Sequence, residues 1–166
     1  MKRFISQSLV AALLLFFFAA GHASAQDLVF TIKLNKTNSK KGEPVTCTMM
    51  LKNISKNNLV VNNRFLVNVP AGPHDISFQL IDPDMNPVPF AAKIKAAFES
   101  KDYILLAPGK TESATYLLSK RFDLSKSGSY KLTAYYENKY DAPAALNLAP
   151  AWKGSLHSNS TVFIIR

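Results

Sequence analysis

The chain has 166 residues, a formal net charge of +9 and a 48% hydrophobic composition. Its length allows one domain with a proper core and is too short for two of ordinary size. Its single cysteine excludes an intramolecular disulfide and a cysteine-based zinc site, so the fold must be held by its apolar core.

Met1, Lys2 and Arg3 lead into the apolar run from Leu9 to Ala20, and "ASA" follows at Ala23 to Ala25. This is the three-part pattern of a secretory signal peptide. Twelve apolar residues in a helix cover about 18 Å of a bilayer core about 30 Å thick, too little for a span. The expected division is therefore a signal peptide over residues 1–25 and one domain over 26–166, exported to the periplasm or the exterior. Loss of Lys2 and Arg3 lowers the net charge to +7. No cysteine stands just after the run to accept a lipid.

Apolar residues then recur with period two, the pattern of strands. Leu28, Phe30, Ile32 and Leu34 predict a first strand, and "NKTNSKKGEP" a polar turn ended by Gly42 and Pro44. Val45 to Lys52 predicts the second strand, with Cys47 on the apolar face of Val45, Met49 and Leu51, which makes it a buried, inert thiol. "LVV" and "FLVNV" read as β pieces around "NNR", stopped by Pro70 and Pro73. Ile76, Phe78 and Leu80 point inward on a hairpin strand that turns at "DPDMNP" and returns at Val88 to Phe90. "AAKIKAAFES" suits a helical turn as well as a strand. Strands follow at "YILL", from Thr111 to Leu118, from Tyr130 to Glu137 and from Ser158 to Ile165. Short strands separated by turn signals at this spacing predict an all-β, antiparallel sandwich of about seven to nine strands.

Gly128-Ser129-Tyr130 opens the strand that carries Leu132, Ala134 and Tyr136 on one face. The pattern is that of a tyrosine corner, in which a glycine allows a tight turn and a buried phenol bonds to backbone upstream. Gly128 and Tyr130 are therefore structural residues. Together, "KGEPVTCTMMLKNIS", "LAPGKTESATYLLSKRFDLSKSGSYKLTAYYEN" and "WKGSLHSNSTVFII" resemble exported bacterial immunoglobulin-like domains. The first of these also resembles immunoglobulin-like proteinase inhibitors. The resemblance implies a sandwich and either adhesion, accessory or inhibitory roles. It transfers no inhibitory loop.

Catalytic patterns are missing. His74 and His157 lie far apart, and neither a Gly-x-Ser-x-Gly elbow nor an HExxH motif is present. Asp82, Asp84 and Asn86 imitate the start of a calcium loop, but Pro87 holds the glycine position and Lys93 the glutamate position, so a turn is expected. Asn35, Asn53 and Asn159 begin glycosylation triplets, a pattern frequent by chance. Lys33, Lys36, Lys40 and Lys41 read as a solvated hairpin end, and an exported chain seldom meets nucleic acid.

The segment from Asn138 to Gly154 is long for a loop and carries Tyr140, Leu146, Leu148 and Trp152, the only tryptophan. Long loops and such side chains mark binding sites, and these four are the candidate partner-binding residues. The same residues could instead plug the end of the sandwich, since tryptophan is usually well buried. The expectation is a non-catalytic binding or structural module without cofactor or metal, contacting a protein or a cell-envelope component. The alternative is a secreted proteinase inhibitor.

Overall fold

A computed structural model describes residues 27–68, 75–91 and 102–166. The expected signal peptide, Pro70, Pro73, His74 and residues 92–100 of "AAKIKAAFES" lie outside the described residues. The strands are β1 (Leu28–Leu34), β2 (Asn38–Ser39), β3 (Thr46–Asn53), β4 (Leu59–Asn62), β5 (Ile76–Ile81), β6 (Tyr103–Leu106), β7 (Thr111–Leu117), β8 (Gly128–Asn138), β9 (Gly154–His157) and β10 (Thr161–Ile165). Among the described residues no helix is long and apolar enough to cross a membrane.

The chain is an all-β sandwich. One sheet has the order β1-β3-β7, and the other runs β2-β10-β8-β5 with β9 also on β8. β4 and β6 form a two-stranded ribbon. Named pairs are antiparallel except β2 with β10. Period-two alternation decides which faces meet. Phe30 and Ile32 of β1, Cys47, Met49 and Leu51 of β3, Leu132, Ala134 and Tyr136 of β8, and Phe163 and Ile165 of β10 enter one core.

Three local features depart from the sequence reading. The polar turn after β1 contains β2, whose two residues pair in parallel with Ile164 and Ile165. "FLVNV" supplies one isolated bridge, from Val67 to Ile76, and Phe65 has a positive φ of 48°. The hairpin return at Val88 to Phe90 forms no named strand among the described residues; next to it Pro87 bridges Ile81, and Val88 N–H donates to the Leu80 carbonyl. Pro87 and Pro89 have no N–H to extend a ladder.

The last strand is broken as well. His157 stands opposite Tyr135 and Thr161 opposite Leu132, so three residues of one strand face two of β8, which is a β-bulge. Asn159, in the bulge, crosses to the edge strand β1. Ile32 N–H donates to Asn159 Oδ1 at 3.0 Å, and Asn159 Nδ2 donates to the Ile32 carbonyl at 3.2 Å. One amide thus occupies the place of a strand partner and blunts that edge.

Candidate functional site

Residues 139–153 lie against the β4–β6 ribbon. Leu59, Val61, Ile104 and Leu106 turn one side of that ribbon to the main core. On the other side Val60 and Tyr103 form a second small cluster with Ala151, Ala142 and Leu146. Backbone fixes the segment there. Ala151 bridges Val60 in parallel, Trp152 N–H donates to the Val60 carbonyl at 2.8 Å, and Asn138 Nδ2 donates to the carbonyls of Tyr140 and Trp152. Asp141 accepts from Ala151 N–H and pairs with Lys153.

The four candidate binding residues divide into two pairs. Trp152 is half-buried, its ring centroid 6.1 Å from that of Tyr136, and Leu146 packs into the second cluster. Tyr140 is 57% exposed and Leu148 37%. Leu105 is 55% exposed and lies on the same side of the ribbon as Val60, its register partner. "YILL" gave no sign of this, because a short apolar run does not say which member faces out. The segment is therefore a cover held by Trp152 and Leu146, with Tyr140 and Leu148 on its solvent side.

Beneath it lies a polar network that sequence reasoning missed. Asp75 is 2% exposed and accepts from Arg64 Nε at 2.9 Å, Arg64 Nη2 at 2.8 Å, Asn62 Nδ2 at 2.9 Å and Leu66 N–H at 2.9 Å. Such a carboxylate has its lone pairs filled by geometry rather than by water. Tyr136 O–H donates to the Asn62 carbonyl at 2.8 Å, and burial raises its pKa well above the tyrosine range. The ring of Tyr136 contacts Phe30, Phe65 and Trp152, so the network and the cover share one aromatic support. In the sequence, "NNR" and Asp75 are turn-type residues next to β pieces, and nothing in their spacing announces a pairing across eleven positions.

At Gly128 and Tyr130, Tyr130 O–H donates to the Lys126 carbonyl at 3.1 Å, and its ring stacks on Phe163 with centroids 5.3 Å apart. Lys126 Nζ lies 2.6 Å from Asp82 Oδ2 and 2.8 Å from Asp84 Oδ2. Asp82 Oδ1 accepts from the N–H groups of Asp84 and Asn86. The Lys126 ammonium, followed by these backbone donors, holds the Asp82 carboxyl below the usual carboxylate range. "DPDMNP" is thus a turn closed by a lysine between its two carboxylates.

Cys47 is buried, and desolvation pushes its thiol up to about 12. All three glycosylation-type asparagines have structural bonds: Asn35 accepts from Thr46 N–H, Asn53 donates to the carbonyls of Asn57 and Leu106, and Asn159 donates to that of Ile32. Lys36 pairs with Glu43, which also accepts from Lys40 N–H, while Lys33 projects from the outer face of β1. His157 is exposed on β9. Among the described residues no group of three or more His, Cys, Asp or Glu side chains comes together in a metal-holding arrangement. No protein-family model matches the chain, and no curated protein matches it.

Proposed function

We propose that the chain is an exported, non-catalytic binding module that contacts a protein partner through the end of the sandwich covered by residues 139–153. The observation that carries this reading is the division of the cover: Trp152 and Leu146 fasten it from below while Tyr140 and Leu148 face solvent. A side chain on an anchored support loses little freedom on binding, and tyrosine adds a large apolar face with a hydrogen-bonding tip. The immunoglobulin-like reading is supported by the strand order, with β1, β3 and β7 in one sheet and β5, β8 and β10 in the other, and by the Tyr130–Lys126 bond. Export rests on the run from Met1 to Ala25.

Site-specific photocrosslinking in exporting cells tests the reading. A photoreactive residue at position 140 is expected to trap one discrete protein, and the Leu148→Ala change to weaken that adduct. The same probe at Lys131, exposed near the other end of β8, is expected to trap nothing. Equal labelling from both positions, or none at 140, overturns the proposal. An adduct with a secreted protease would reassign the loop as inhibitory.

A further inference from the structure

We propose that the outer face of the β1-β3-β7 sheet binds an acidic polysaccharide. The register sets side chains on this face in rows: Lys33, Thr48 and Thr115 form one, Thr31, Met50 and Ser113 the next, and Val29, Lys52 and Thr111 a third. Each strand thus contributes at least one hydroxyl, Thr31 from β1 and Thr48 from β3, and β7 repeats them at Thr111, Ser113 and Thr115 at about 7 Å spacing, with about 4.8 Å between strands. Thr111, Ser113 and Thr115 are exposed, and Thr31 and Thr48 half-buried. Thr48 Oγ1 lies 3.3 Å from Thr115 Oγ1, so neighbouring hydroxyls are close enough to act together on one ligand group.

The charges within these three rows have one sign. Lys33 and Lys52 are exposed, and neither is in an ion pair among the described residues. They stand on a diagonal, one strand and four residues apart, with Cα atoms about 14 Å from each other. Among the described residues no carboxylate stands in the three rows; the nearest in register is the exposed Asp27, two positions before Val29 and opposite Ile54. Glu112 is on β7 but stands opposite Leu51, on the inner side, where it accepts from Asn63 Nδ2. Glu43, Asp75, Asp82, Asp84, Glu137 and Asp141 are each paired to a cation elsewhere. The three rows therefore carry two cations and no anion, and an anionic partner is complementary to them.

The remaining chemistry selects among anions. A sugar chain offers hydroxyls that both donate and accept, as the threonine rows do, and a C–H ring face that can lie on Met50. Aromatic side chains that would stack nucleic-acid bases do not occur in these rows, and their two apolar members, Val29 and Met50, are half-buried rather than projecting as groups that insert into lipid. Met85, Leu105, Tyr140 and Val162, all strongly exposed, belong to other surfaces, and Ile54, 50% exposed, stands beyond the end of β3, two positions after Lys52.

Binding of the purified protein to immobilised polygalacturonate tests the proposal, with the methyl-esterified polymer and phosphatidylglycerol vesicles as comparators. Saturable binding to polygalacturonate is expected, weakening about tenfold or more from low to physiological salt. K33E/K52E should lose about tenfold or more in affinity through charge reversal. T48V/T115V retains both cations and should lose about threefold through its missing hydroxyls. K56E/K131E makes the same change in net charge on other surfaces and should bind like the wild type. An equal loss in K56E/K131E would show diffuse charge attraction and overturn the proposal. It is also overturned by equal binding of the methyl ester, by an unaffected T48V/T115V variant, or by binding confined to vesicles. The crosslinking at position 140 reads a different surface, so either result can fail without the other.

Discussion

Pro83 lies directly over Gly128: a β carbon at Gly128 would stand 2.7 Å from both Cβ and Cγ of Pro83, and the glycine φ is +132°. The turn after β5 and the entry to β8 are therefore fitted to each other at a point where no side chain can stand. Lys126 ties the same two loops together through Asp82 and Asp84. Gly128→Ala is expected to lower stability by about 1–3 kcal/mol, since it adds overpacking to a strained backbone. Tyr130→Phe, which keeps the ring on Phe163 and removes the bond to Lys126, should cost about 1 kcal/mol. Urea denaturation of both variants checks the order.

The ion pair of Arg64 and Asp75 is enclosed, with side-chain exposures of 11% and 2%. Removing one partner strands the other away from water, and Asp75→Ala is expected to cost about 3–5 kcal/mol. Lys153→Ala breaks only the exposed pair with Asp141, leaving the Asp141 bond to Ala151 in place, and should leave the urea midpoint nearly unchanged. Comparable effects of the two changes would show that the buried network does not hold the end of the sandwich.

The thiol of Cys47 and several phenols set the alkaline limit. Burial raises Cys47 from its ordinary 9.0 to about 12, and it also raises Tyr136, Tyr130, Tyr116 and Tyr103 above 10.0. Between pH 9.0 and about 12 the unfolded chain has lost the Cys47 proton that the folded chain keeps. The unfolded state then binds fewer protons, so stability falls as pH rises, and falls further above 10.0 as the tyrosines join. Thermal midpoints from neutral pH upward should show this decline. At about pH 8 an aromatic disulfide reagent should find no thiol in the native protein and one after denaturation in urea.

Trp152 reports on the cover. Its ring packs on Tyr136 and also over Gly154, where an added β carbon would approach Trp152 Cη2 to 2.8 Å. The native protein should emit to the blue of free tryptophan and resist iodide in part. Gly154→Ala pushes the ring outward, so a red shift and stronger quenching are expected. Emission already at the free-tryptophan wavelength in the native protein would show that Trp152 does not anchor the segment.

The sequence alone determined the strand-rich sandwich, the inward faces of β1, β3 and β8, the buried thiol and the turn at "DPDMNP". Each rests on period-two alternation or on residues whose backbone preferences act locally, and local information is what a sequence displays. The candidate segment was legible too, from its length and its aromatic residues. Its division into anchors and exposed groups was not. Whether Trp152 turns in and Tyr140 out depends on Val60, Tyr103 and Tyr136, which come from other parts of the chain. Only tertiary structure decided the same kind of question elsewhere: the Arg64–Asp75 pair, the parallel β2, the crossing of Asn159 to Ile32, and the assembly of lysines and hydroxyls in rows on one face. Register between distant strands sets each of these, because it places side chains opposite partners that no local pattern names.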